Sequence, residues 1–118
     1  MQQAPPSLMT RSAALEYLQV HLHLDDVSIE RRLQDPRTYL EALTEITRAF
    51  SRTVPFQSIS LLTASADERK YLPTFQKIVH DVHNRVGGCC YTLNVFMREL
   101  LQSLGLDTFY SVCVVLRR

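Results

Sequence analysis

The stretch Arg85-Val86-Gly87-Gly88-Cys89-Cys90-Tyr91-Thr92-Leu93-Asn94 decides how this chain is read. It lies between two apolar periodicities of helical spacing. Upstream, Phe75, Ile78, Val79 and Val82 recur at i, i+3, i+4 and i+7, which predicts a helix ending near Asn84. Downstream, Leu93, Phe96, Met97, Leu100, Leu101 and Leu104 form the cleanest stripe in the sequence, and Gly105 stands where a helix stop belongs. Gly87-Gly88 breaks the chain between them, and glycine permits a close-packed turn without Cβ clashes. The expectation is helix, tight turn, helix, with two thiols at the start of the second helix.

A thiol in the first turn of a helix sits near unsatisfied N–H groups and the positive end of the dipole. Both favour the thiolate, the form that attacks an acyl carbon. Cys90 lies three residues before Leu93 and is expected on the inward face, while Cys89 falls to the turn. Cys90 is therefore the candidate nucleophile. The ordinary use of such a cysteine is as a small buried hydrophobe, and a nucleophile needs a paired base.

Working outward, a first helix is expected from about Arg11 to Val20 with Thr10 as its N-cap, and a short second one within His21 to Gln34. Asp35-Pro36 is expected to start a helix carrying Tyr39, Leu43, Ile46 and Phe50 inward, with Leu40 beside them. Pro55 bounds that helix, and the connection from Pro55 to Leu72 is expected to bury Phe56, Ile59, Leu61 and Leu62. Phe109 to Leu116 is rich in β-branched and aromatic residues and is expected to be a strand.

The fold class is thus α+β, mainly α in this chain. Residues 1–9 are expected as a flexible N-terminal tail, 10–106 as a helical domain carrying the Cys90 motif, and 107–118 as the first strand of an incomplete β-domain. One strand has no ladder partner. A truncated β-domain, and self-association through the unpaired strand, are the corresponding expectations.

The composition excludes some classes. The chain has 118 residues, with 13 Lys and Arg against 12 Asp and Glu, so the net charge of +1 offers no electrostatic case for nucleic acid or an anionic membrane. No apolar run approaches the roughly 18 residues that span a bilayer, and the first residues lack a secretory pattern. A cytoplasmic location with three free thiols is expected. His80, His83, Cys89 and Cys90 are metal-ligand types within a short stretch, but adjacent cysteines chelate one ion poorly and no CxxC pair occurs, so no metal is expected. Since the upstream stripe uses positions 75, 78, 79 and 82, His80 and His83 belong on the solvated face.

The central stretch resembles the active-site motif of the arylamine N-acetyltransferases, Arg-Gly-Gly-x-Cys-x-(Glu/Gln)-x-Asn. Gly87 and Gly88 match the glycines, Cys90 the catalytic cysteine and Asn94 the asparagine. Val54-Pro55-Phe56 resembles the family's Val-Pro-Phe-Glu-Asn segment. Phe75 with Lys77-Ile78-Val79 resembles its Phe-x-Lys-(Ile/Val)-Val helix, and Phe96, Leu100, Leu104-Gly105-Leu106 and Val112 resemble the run after the cysteine. Four positions depart. Val86 replaces the motif arginine (Arg85 stands one place early), Thr92 replaces the Glu or Gln, and Gln57-Ser58 replaces Glu-Asn.

The resemblance implies ping-pong acyl transfer. Acetyl-CoA is the donor substrate, Cys90 the acceptor thiol, an arylamine the final acceptor, and no cofactor is held permanently. The family pairs its cysteine with a His and an Asp that follow it in sequence. After Cys90 this chain has no His, and Asp107 is its only Asp. Only Cys90 is carried over as catalytic, with Gly87, Gly88 and Asn94 supporting the motif. The cofactor-binding residues stay unassigned. The alternative expectation is a non-catalytic fragment or isoform acting at most as a binding module.

Overall fold

Helix α1, Arg11–Glu16, starts where Thr10 accepts a hydrogen bond from the Ala13 amide at 3.1 Å. It continues into a π-helical turn over Tyr17–His21, closed by the Leu22 amide on the Tyr17 carbonyl at 3.1 Å. The computed structural model describes residues 6–67 and 71–110. Helix α2, Asp26–Leu33, is capped by Asp25 on the Ser28 amide at 3.2 Å. Then come α3, Tyr39–Thr53, the short α4, Ile59–Thr63, α5, Phe75–His83, and α6, Cys90–Ser103.

The two helices that flank the glycine turn form as their stripes predict. Thr74 caps α5 by accepting from the Lys77 amide at 3.2 Å, and Ile78 and Val82 are buried. Helix α6 ends at Gly105, whose φ of +97° is the left-handed conformation that glycine adopts cheaply. There the Leu106 amide reaches back to the Leu101 carbonyl at 3.1 Å.

Two expectations upstream need correction. Asp35-Pro36 does not open α3. The Asp35 carboxylate accepts from the Arg37 amide at 2.9 Å, and its carbonyl takes the Thr38 and Tyr39 amides at 3.0 and 2.9 Å. These local bonds close a separate turn and leave the helix to begin at Tyr39. The buried face then runs through Ala42, Ile46 and Phe50, while Tyr39 and Leu40 are exposed. Likewise the connection after Pro55 does not bury its apolar residues: Phe56, Ile59 and Leu62 are exposed by 68, 68 and 70%. Its path is held by backbone and carboxamide hydrogen bonds, which leave those side chains outside. The side chain of Leu61 lies outside the described residues.

The core gathers around α6, which packs against α1 and α5. Phe96 is fully buried, with the Phe50 ring stacked at 5.9 Å and the Tyr17 ring edge-on at 4.8 Å. Leu18, Ile29, Ile46, Ile78, Val82 and Leu100 fill the surroundings. Such interiors are close-packed, so each of these side chains is held in one arrangement.

Residues 7–9, expected within a flexible tail, are tied to α6. The Leu8 amide donates to Glu99 Oε2 and the Ser7 hydroxyl to the Glu99 carbonyl, both at 2.7 Å. Glu99 Oε1 also accepts from Arg98 Nη1 and from the Tyr110 hydroxyl, each at 3.0 Å. Burial pushes this carboxyl upward, but the Leu8 amide, Arg98, Ser7 and Tyr110 outweigh it and hold it below the usual carboxylate range. A depressed carboxyl contributes stability that is present above its unfolded pKa and lost as pH falls through its folded one. Glu99→Gln is expected to cost about 2 kcal/mol, because a hydrogen bond to a charged group is worth more than one to a neutral group. Chemical denaturation checks this: an unchanged midpoint would mean that the cluster contributes nothing.

Phe109 and Tyr110 have no regular structure and are exposed. The rest of the expected strand, residues 111–116, lies outside the described residues. Among the described residues the β-type pairing is an isolated parallel bridge between Phe56 and Gly88.

Candidate functional site

The turn between α5 and α6 is built from the end of α5 forward. Asn84 Nδ2 donates to the His80 carbonyl at 2.8 Å, and Arg85 takes a left-handed φ of +59°. The amides of Val86 and Gly87 both donate to the Asp81 carbonyl, at 2.8 and 3.1 Å. Gly87 has φ +73°, and a Cβ there would stand 1.9 Å from the Pro55 carbonyl oxygen. Only glycine fits that conformation and that approach. The Gly88 amide then reaches the Pro55 carbonyl at 3.3 Å and the Gln57 amide returns to the Gly88 carbonyl at 3.0 Å. The segment 55–57, distant in sequence, thereby fixes where α6 begins.

Cys89 is the N-cap of α6 and Cys90 its first residue. The orientation of the two thiols differs from expectation. Cys90 is exposed, and Cys89 is the half-buried one. The inward face of α6 explains this. Counting back four residues from buried Phe96 gives buried Thr92, and three more gives Cys89, so Cys90 is turned outward. Thr92 packs against Gly88, where an added Cβ would meet its side chain at 2.8–3.0 Å. Asn94 is exposed on α6.

A groove of about 590 Å³ opens beside the turn. Tyr71, Leu72 and Pro73 line it, as do Gly87, Gly88 and Cys89 of the turn and Tyr91 and Thr92 of α6. Lys77 and Asp81 of α5 supply the charged edge, paired at 3.1 Å. Sequence reasoning gave Asp81 and Tyr91 no role, and Lys77 only a place in the Phe-x-Lys segment of α5. Lys77 and Asp81 share an i, i+4 spacing that reads as an ordinary surface pair, and only the groove gives it a place.

The histidines do not gather at the thiols. His80 is exposed, with Nδ1 3.4 Å from Asp81 Oδ1. His83 is half-buried, which corrects its expected place on the solvated face. Its ring stacks on His21 at 4.4 Å and on Tyr17 at 5.4 Å, with the edge of Phe96 at 6.1 Å. Tyr17 and His21, four residues apart, thus share the face that meets the last turn of α5. The Tyr17 hydroxyl is buried without a hydrogen-bond partner among the described residues, and burial raises its pKa, with Arg85 opposing. His80, His83, Cys89 and Cys90 are not drawn into a metal-binding group among the described residues.

Burial, then the neighbouring His21, lowers the pKa of His83 from its ordinary 6.5, against a smaller opposite effect of Glu16. A histidine lowered in the folded state leaves the unfolded chain binding more protons, so stability falls as pH drops through and below 6.5. His83→Phe retains a ring for the stack and removes the proton site. Denaturation midpoints on either side of that pH are expected to diverge in the wild type and to converge in His83→Phe. An equal acid loss in both would disprove the assignment.

No described helix is long and apolar enough to cross a membrane. No curated protein and no solved structure matches the chain. A family model described as N-acetyltransferase matches residues 39–117, more than half of the chain, a span that takes in α3, the clamp at 55–57, the glycine turn and α6. By that match, in register with the motif around Cys90, the chain belongs to the arylamine N-acetyltransferase family.

Proposed function

We propose that this chain supplies the acyl-accepting thiol of an N-acetyltransferase, with Cys90 carrying the acetyl group between acetyl-CoA and an arylamine. The observation that supports this most is the pinned glycine turn, which sets Cys90 in the first turn of α6 next to Cys89, the N-cap thiol that lines a groove together with Tyr71 and Tyr91. In the first half-reaction the Cys90 thiolate attacks the thioester carbonyl of acetyl-CoA. A C–S bond to Cys90 forms, the bond to coenzyme A breaks, and the departing thiolate takes up the proton. In the second, the amine nitrogen attacks the acetyl-Cys90 carbonyl, the amide C–N bond forms, the acyl C–S bond to Cys90 breaks, and the nitrogen's proton passes to the released cysteine sulfur. Tyr71 and Tyr91 are suited to hold an aromatic ring, by offset stacking or edge contact.

One observation favours a second reading, a non-catalytic binding module. Among the described residues no histidine is hydrogen-bonded to either thiol, and His21 and His83 are engaged with Tyr17. Incubation with acetyl-CoA followed by peptide mapping separates the two. The transferase reading expects an acetyl thioester at Cys90 that an added arylamine discharges. The binding-module reading expects no adduct while an arylamine still binds.

A further inference from the structure

Two of the four departures from the family motif meet in space. Position 57 carries a carboxamide in place of a carboxylate, position 86 carries valine in place of arginine, and the Gln57 side chain lies on the Val86 backbone. Gln57 Nε2 donates to the Val86 carbonyl at 3.1 Å and to Ser60 Oγ at 2.9 Å. Its Oε1 accepts from the Ser60 amide at 3.0 Å, and its own amide donates to the Gly88 carbonyl at 3.0 Å. Both side-chain hydrogens and both ends of the side chain are thus used. One residue joins the first turn of α4 to the two carbonyls that flank Gly87.

We infer that Gln57 is a positioning residue for the thiols of α6: its carboxamide holds the Val86 carbonyl beside the backbone bond to Gly88 and so sets the turn that presents Cys89 and Cys90, and a carboxylate there would not. The inference rests on the transferase reading for its catalytic meaning, though not for its geometry. The physical reason is donor count. A carboxamide offers two N–H donors and one carbonyl acceptor, whereas an ionised carboxylate only accepts. Gln57→Glu would set a negative charge against the Val86 carbonyl oxygen. The turn would be pushed away from 55–57, and the first turn of α6, which the Gly88 bridge anchors, would lose its fixed start. A thiol in a frayed first turn no longer sees aligned N–H groups.

The test compares wild type, Gln57→Met and Gln57→Glu in the full chain. Met is close in size and makes none of the side-chain bonds. Limiting iodoacetamide with peptide mapping gives the labelling rate of Cys90 against that of Cys113 in the same molecule. In Gln57→Met the ratio is expected to fall about threefold at every pH, the scale of a helix-terminus field. In Gln57→Glu it is expected to match the wild type in mild acid, where the carboxyl is protonated and can donate. It should fall as pH rises through the carboxyl's titration. A merely structural role would not give one variant a pH-dependent ratio and the other a pH-independent one. Acetyl-thioester formation, where the wild type shows it, is expected to lose about tenfold in maximal rate with little change in the acetyl-CoA concentration needed, as misplacement of a reacting group does. Labelling ratios equal to wild type in both variants across the pH range would overturn the inference. A wild type that forms no thioester while the labelling ratios respond as described would count against the transferase reading and leave the role of Gln57 supported.

Discussion

Cys90→Ser is expected to abolish acetyl-thioester formation, by on the order of 10³-fold or more, while leaving the fold in place. The structural half follows from exposure. Cys90 stands on the outer side of the first turn of α6 and takes no part in the core, and substitutions at such sites usually shift stability by no more than about 0.5 kcal/mol. The chemical half follows from ionisation. A thiol reaches its nucleophilic anion near neutral pH far more readily than a hydroxyl, and serine becomes a useful nucleophile only beside a strong base. No histidine is hydrogen-bonded to this position among the described residues, so a serine there would have no such help.

The companion Cys89→Ser makes the experiment decisive, because Cys89 is the thiol that lines the groove. It is expected to keep the thioester at Cys90. Intact-mass measurement after incubation with acetyl-CoA reads both variants. An adduct retained in Cys90→Ser and lost in Cys89→Ser would move the acyl acceptor to the groove-facing thiol.

Gly87→Ala is expected to destabilise the chain by about 3 kcal/mol, a fall of roughly 10 °C in Tm. Two effects add. An L-residue at φ +73° bears a left-handed cost of about 1–2 kcal/mol. The new methyl also falls 1.9 Å from the Pro55 carbonyl oxygen, well inside van der Waals contact, so backbone must move. The displaced backbone is the one that carries the Gly88–Pro55 and Gln57–Gly88 hydrogen bonds, and the pinning of α6 goes with it. Gly105→Ala serves as the control. Its φ is +97°, yet a Cβ there meets nothing within 4 Å, so it bears the conformational cost alone. Thermal unfolding of the two variants isolates the collision. If both lose the same Tm, the close approach at Gly87 carries no energy.

Parts of this architecture were legible because they are local. Thr10 and Gly105 act where a cap and a stop are expected, since a capping bond or a left-handed turn involves residues within one helical turn. The stripes of α5 and α6 were legible for the same reason, their period being a property of the helix itself. Asp35-Pro36 shows the limit of that logic. An aspartate before a proline serves a helix start and an isolated turn equally well, and a locally satisfied carboxylate chose the turn.

The candidate site divides along the same line. The sequence by itself determined that a glycine pair would break the chain between two amphipathic helices and leave Cys89 and Cys90 at the start of the second, because spacing alone sets helix faces and breaks. It could not determine which thiol faces inward, since at a helix start one residue turns the direction by about 100° and the stripe upstream of Leu93 has no apolar member to continue it. Tertiary structure decided that, by burying Thr92 against Gly88 and Cys89 beside the groove. It also decided the clamp from Gln57, a contact across 29 residues, and the stacking of His83 on His21 and Tyr17. Such contacts depend on where whole helices lie, and that is set by packing around Phe96 and not by the period of any one segment.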